Sequence, residues 1–178
     1  MHLYEKTLDS LVIHEGKIIT LTKDTVELEN GEEAIREVVH HHGGVCIVPI
    51  NENDEILFVK QFRYPFKDVL LEIPAGKLNA GEDHYECGKR ELLEETGACA
   101  SEFTYIGVMY PTTGYVTEKI HMYYAKGLTF TQQNLDDDEF LDIVKIPFEK
   151  AVEMIMSNEI PDAKSQIAIL KTAKILGK

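Results

Sequence analysis

Six acidic residues fall in the stretch GKLNAGEDHYECGKRELLEETGA, Gly76 to Ala98, where Glu91, Glu94 and Glu95 stand beside the one arginine, Arg90. On a helix, Glu91 and Glu95 are four apart and project from one face, with Glu94 three on from Glu91. Like charges at that spacing destabilise a helix unless a cation binds among them. Hard carboxylate oxygens so clustered suit Mg2+ or Mn2+, which complete their shells with a carbonyl, waters and substrate phosphates. Gly76 and Gly81 let the entering loop turn tightly and bring a backbone carbonyl, such as that of Ala75, to the same ion. Arg90 can pair with Glu82 or Glu94 and hold the helix against its loop. The plain alternative is a solvated acidic face with ordinary salt bridges.

To present these carboxylates, a helix must run from about Glu82 to Thr96 and stop at Gly97, with Tyr85, Leu92 and Leu93 toward a sheet. The sheet has its strands ready. GGVCIVPI and EILFVKQFRYP read as a hairpin across NEND, with DVLLEIP a third strand. FTYIGVMYP and EKIHMYYAKGL follow, separated by the loop TTGYVTE, and the polar loop TFTQQNLDDDE leads to FLDIVKIP. FEKAVEMIMSNEI and DAKSQIAILKTAKIL carry apolar residues at helical spacing. Ahead of all this, residues 8–42 read as three short strands, turning at His14-Glu15-Gly16 and at Asn30-Gly31. So small a sheet has too little core to stand alone and must pack on the rest of the chain or on a second copy. Strands and helices mix without regular βαβ alternation, which indicates an α+β fold.

Composition narrows the chemistry. The chain has 178 residues, enough for one ordinary domain with a small appendage, and a net charge of -13. That charge repels nucleic acid and anionic membrane, and excludes a nucleic-acid module more firmly than a metal-dependent phosphate enzyme, whose ions reverse the field locally. No apolar run approaches the roughly 20 residues of a membrane span, and MHLYEKTLDS lacks the features of a secretory signal. Cys46, Cys87 and Cys99 are odd in number and show no metal spacing, as expected of free thiols in a reducing cytoplasm. His40, His41 and His42 alternate faces along a strand and cannot converge on one ion.

Gly76, Glu82, Arg90-Glu91-Leu92, Glu94-Glu95 and Gly97-Ala98 together resemble, residue type and spacing alike, the Nudix box of the Nudix hydrolases. These are metal-dependent enzymes that cleave a nucleoside diphosphate linked to another group. Ala98 stands where the box usually has a larger aliphatic residue, and Gly88 sits mid-helix, where close packing on the sheet would account for it. The segments IREVVHHHGG, VKQFRYP, LLEIPAGKL, YPTTGYVTEKI and DDDEFLDI extend the resemblance, in order, to the ADP-ribose pyrophosphatase branch.

That resemblance implies a Nudix α/β/α sandwich with a mixed sheet over residues 43–178, preceded by a small N-terminal antiparallel sheet over residues 1–42. It also implies a homodimer whose N-terminal sheets exchange. The reaction it implies is hydrolysis of ADP-ribose to AMP and ribose 5-phosphate, with two or three Mg2+ ions per site held by Ala75, Glu91, Glu95 and Glu139. Arg36 and Arg63 would contact the phosphates or terminal ribose, and Glu72 would lie near the ribose or support Arg63. In the loop LDDDEFLD, Glu139 matches a metal-associated carboxylate and Asp137 the general base. Relatives often carry Glu at the second place, so Glu139 stands as the other candidate base. Thr112-Thr113-Gly114 replaces the usual Ser-Pro-Gly but keeps Gly114, leaving room for close approach to substrate. The rival readings are hydrolysis of another nucleotide sugar, such as GDP-mannose, or of a dinucleotide, and a Nudix domain that senses a nucleotide without cleaving it.

Overall fold

A computed structural model describes residues 3–136 and 139–178. The chain divides into two units, Met1–Gly43 with Tyr110–Lys119, and Gly44–Met109 with Ile120–Lys178. The expected N-terminal sheet therefore shares its unit with a second segment, residues 110–119.

In the first unit β1 (Lys6–Glu15), β2 (Thr20–Glu27) and β3 (Glu33–His40) form an antiparallel sheet in the order β1-β2-β3. The second turn lies where Asn30-Gly31 places it, with Gly31 at a φ of 83° and its N–H donating to the Leu28 carbonyl. The first turn falls later than expected. β1 continues through His14 and Glu15, and the Gly16 N–H closes onto the Ile19 carbonyl. Residues 110–119 join the sheet along β3, where Val39 donates to the Tyr115 carbonyl and accepts from Thr117. His40 meets Thr22 Oγ1 and His41 meets Glu118, so these two histidines have separate partners. Every residue of β1 is exposed, Leu11, Val12 and Ile13 each by more than half.

The second unit holds β4 (Gly44–Pro49), β5 (Glu55–Arg63), β6 (Asp68–Glu72), β7 (Ala75–Lys77), α1 (His84–Thr96), β8 (Ala98–Met109), β9 (Ile120–Phe130), β10 (Leu141–Pro147), α2 (Phe148–Met156) and α3 (Ala163–Leu176). β4 is buried on both faces, which is why GVCIV is apolar without alternation. Val45 and Ile47 pack with Cys87 and Leu92 of α1, whereas Cys46 and Val48 pack with Ala168, Ile169 and Ala173 of α3. A helix thus covers each face of a mixed sheet, ordered β7-β4-β9-β8 with β4 and β9 parallel, an α/β/α arrangement.

One expectation fails here. β4 and β5 do not form a hairpin ladder; the Ile50–Ile56 bridge and the bond from the Asn51 N–H to the Glu55 carbonyl close the turn, and β5 pairs instead with β10 and β6 in a second sheet. Both edges of β4 are already occupied, by β7 and β9, so β5 has no edge to join. Among the described residues no helix is long and apolar enough to cross a membrane.

Candidate active site

The acidic helix begins at His84, not Glu82, because the Asp83 side chain caps it by accepting from the backbone N–H groups of Tyr85 and Glu86. It ends as expected: Gly97 turns left-handed at φ 67° and its N–H returns to the Leu93 carbonyl. The inward stripe comprises Cys87, Gly88, Glu91, Leu92, Glu95 and Thr96, so the carboxylates share the core-facing side with the apolar anchors. Leu93 is only partly covered, and Tyr85 is 40% exposed with its edge against Phe103. Tyr85 meets the sheet as expected, through Phe103 and Tyr123, but at the margin of the helix, not in its buried stripe. Gly88 is explained by packing, since a Cβ there would lie 2.9 Å from Phe103 and 3.1 Å from Val45.

Glu82, left outside the helix, ties the entering loop together. Its carboxylate accepts from the Asn79 N–H at 2.8 Å and from Arg90 Nε at 2.9 Å. Arg90 also reaches Glu91 and Glu94, each at 2.8 Å, so one guanidinium bridges all three carboxylates. The Arg90 contact holds the Glu82 carboxyl down at about 2.

Glu91 and Glu95 are 7% and 2% exposed. Burial raises both carboxyls, Glu95 to about 8, and repulsion from Glu91 and Glu139 adds to the Glu95 shift. Glu95 accepts from the Ala75 N–H at 3.1 Å, which fixes Ala75 beside the cluster. A Cβ on Gly76 would lie 1.8 Å from the Glu91 carboxyl carbon, so only glycine leaves Glu91 room.

Among the described residues, no three His, Cys, Asp or Glu side chains already converge as a cage. A hard divalent ion does not require one, because it keeps waters and substrate oxygens in its shell. Two buried carboxylates with all-oxygen donors, Glu91 sharing the Arg90 guanidinium with Glu82 and Glu94 and Glu95 accepting from a backbone N–H, fit such an ion. The Glu139 charge acts on both Glu91 and Glu95, placing this residue near the pair. Its loop is guided there by the C-terminus of α1: the carbonyls of Gly97, Glu95 and Glu94 accept from Thr131, Gln133 and Asn134 respectively. Asp137 lies outside the described residues.

Arg63 and Glu72 come together as a two-pronged pair at 2.6 and 2.7 Å, with Glu72 3% exposed. The Glu95 and Arg63 charges also act on each other, linking this pair to the carboxylate cluster. Sequence reasoning missed the other half of the assembly. Lys164, in the first turn of α3, bonds both Glu72 and the Asp162 carboxylate, the latter at 3.0 Å. The available signal was a cation at a helix N-terminus, where the dipole disfavours one unless it has acidic partners. Arg36 and Gly114 belong to the first unit. Arg36 forms an exposed pair with Glu5 at 2.6 and 2.9 Å, and a side chain at Gly114 would meet open space.

Residues 40–167 match the NUDIX domain, and residues 5–39 match the nucleoside diphosphate sugar hydrolase N-terminal domain. The chain is 39% identical to an ADP-ribose pyrophosphatase of Bacillus subtilis, over 94% of this chain and 91% of that protein. It is 38% identical to a methanol dehydrogenase activator of Bacillus methanolicus, covering 93% and 90%. A GDP-mannose pyrophosphatase of Yersinia enterocolitica is 34% identical, covering 90% and 89%. A crystal structure titled as an ADP compounds hydrolase superposes with a TM-score of 0.86 over 97% of this chain and 94% of that one; at 21% identity it speaks to the fold.

Proposed function

The chain belongs to the NUDIX family, and from that premise we propose that it hydrolyses the pyrophosphate bond of ADP-ribose, giving AMP and ribose 5-phosphate, with divalent metal ions. The observation that carries the reaction class is the pair of buried carboxylates, Glu91 and Glu95, one turn apart on the core-facing side of α1. The substrate rests on the ADP-ribose pyrophosphatase relative, which aligns over nearly all of both chains.

In this reading Glu91, Glu95, Glu139 and the Ala75 carbonyl hold Mg2+, or Mn2+, as two or three ions per site. Held there, such ions would supply positive charge against the pyrophosphate and would acidify a water for attack. Arg90 keeps Glu91 and Glu94 from spreading apart, and the Ala75 N–H aims Glu95. Arg63, oriented by Glu72, binds phosphate or ribose oxygens, and Arg36 is proposed for the same kind of contact. Gly114 gives the substrate close access. Asp137 takes the proton of the attacking water, with Glu139 as the other candidate base. Water oxygen bonds to one phosphorus, the bond from that phosphorus to the bridging oxygen breaks, and a phosphate monoester departs.

The wholly exposed β1, with Leu11, Val12 and Ile13, supports a homodimer with exchanged N-terminal sheets. Three free thiols, two of them buried, support a reducing, cytoplasmic setting. The GDP-mannose pyrophosphatase relative favours a second reading, the same hydrolysis on another nucleotide sugar, or on a dinucleotide. A non-catalytic sensor has no need for the complete carboxylate set.

Product analysis by anion exchange decides among them. The protein, and a Glu95→Gln control, are incubated with Mg2+ and ADP-ribose, GDP-mannose or a dinucleotide. AMP from ADP-ribose with the highest specificity constant, lost in the control, is the expected result. A tenfold preference for another compound overturns the substrate assignment, and no cleavage of any compound overturns the enzyme.

A further inference from the structure

Lys164 is 12% exposed, and its ammonium lies between Glu72 and Asp162. Asp162 caps α3, accepting from the Ser165 N–H and hydroxyl as well. The Ser165 hydroxyl in turn accepts from the Ile73 N–H at 2.9 Å, so α3 is docked by consecutive residues, Lys164 and Ser165, onto consecutive residues, Glu72 and Ile73, at the end of β6. Arg63 approaches Glu72 through Nε and Nη2, and its Nη1 group takes no part in that pair.

The electrostatic consequence follows from counting charges at Glu72. With one cation, a buried carboxylate draws that cation fully to itself and cancels it. With Lys164 also bonded to it, Glu72 is shared between two cations and cancels less of the Arg63 charge. Asp162, the other acid on Lys164, also accepts from the Ser165 N–H and hydroxyl at the α3 N-terminus, which offsets part of its charge. We propose that Lys164 is a positioning residue for substrate binding, holding Glu72 so that Arg63 stays side-on to it with a guanidinium edge and its charge directed at an anionic phosphate oxygen. This deepens the function proposed above and rests on Arg63 serving the substrate.

The test pairs kinetics with binding. Lys164→Met removes the charge and keeps the length; Lys164→Arg restores the charge; Lys164→Met with Glu72→Gln removes both partners' charges while leaving Glu72 an acceptor for Arg63. For ADP-ribose hydrolysis, Lys164→Met is expected to raise KM roughly tenfold while kcat changes far less. Lys164→Arg and the double variant are expected to recover most of the loss. Circular dichroism melts confirm which variants are folded at the assay temperature. A destabilised helix with no electrostatic role would show no rescue by the double variant, and that result overturns the proposal. Calorimetric titration with ADP and Mg2+ reads the same edge without catalysis: about tenfold weaker binding by Lys164→Met is expected, and equal affinity, or no ADP binding by the unaltered protein, overturns it. Failure of all hydrolysis with the ADP difference intact removes the proposed activity and leaves the Lys164 assignment standing.

Discussion

Gly76→Ala isolates the geometry of the carboxylate site. The backbone at Gly76 is not in the left-handed region, so alanine brings no conformational strain and the effect is steric. Its Cβ would lie 1.8 Å from the Glu91 carboxyl carbon and 1.9 Å from an oxygen, against 3.4 Å at the near edge of ordinary van der Waals contact. Glu91 must therefore retreat by more than an ångström or rotate away from Glu95. A misplacement of about 1 Å in a catalytic constellation costs on the order of 100-fold, so kcat/KM for ADP-ribose should fall roughly 100-fold, with an increased Mg2+ requirement. The melting temperature should move by no more than about 5 °C, since Cys87 and Leu92 still anchor α1. Gly81→Ala is the matched comparison: Gly81 sits at φ 77° with no atom within 4 Å of a Cβ, so it should lose stability by about 1 kcal/mol and little activity. Steady-state rates over a Mg2+ series, with a melt for each variant, make the measurement. A Gly76→Ala protein keeping more than a third of its kcat/KM would show that Glu91 does not have to be where the structure puts it.

The remaining expectations concern protons, the loop and assembly. Glu95 is raised to about 8 in the folded protein, so the folded state retains a proton that the unfolded chain has already lost; its stabilising contribution is full below the unfolded carboxylate range and disappears as pH rises through 8. Metal-free protein should therefore melt at a falling temperature from pH 6 to pH 9, with the decline reduced by Mg2+ and by Glu95→Gln; a flat metal-free profile refutes the buried proton. Asp137→Asn should lower kcat roughly 10²–10⁴-fold with Mg2+ dependence retained, whereas Glu139→Gln should raise the Mg2+ requirement, both read from rates over a metal series. The reverse pattern would make Glu139 the base, and no effect from either would remove the loop from the site. Ile13→Glu, on the exposed β1, should convert a dimer to a monomer in gel filtration with light scattering, and an unaltered protein already monomeric at micromolar concentration would dispose of the dimer.

What could be read from the residues was whatever is local and periodic. The box was legible because ligand spacing on one helix is a matter of seven or eight consecutive positions, and Glu91 and Glu95 do share the buried stripe. The three N-terminal strands were legible from β-branched runs and the Asn30-Gly31 turn. Pairing was not. Whether β4 continues into a hairpin with β5 depends on which strands already occupy its edges, and β9, the parallel partner of β4, lies 76 residues further on at Gly44–Ile120. The same limit concealed Lys164, whose partner Glu72 is 92 residues away. Only the oddity of a lysine opening a helix hinted that acids waited for it.

These two failures of sequence reading share a cause with the site's central problem. A chain of net charge -13 must draw in a substrate that carries a pyrophosphate. Its field opposes the approach, so the attraction has to be short-range and produced within the site. The cations there do not stand alone: Arg90 is divided among Glu82, Glu91 and Glu94, and Arg63 is bound to Glu72. A guanidinium whose charge is cancelled positions other groups well but draws an anion poorly. On the proposed reading, positive potential has two sources, ions held by Glu91 and Glu95, and the charge left on Arg63 when Lys164 shares Glu72. The first depends on spacing along one helix and can be seen in the sequence. The second depends on α3 meeting the end of β6, which only the fold supplies.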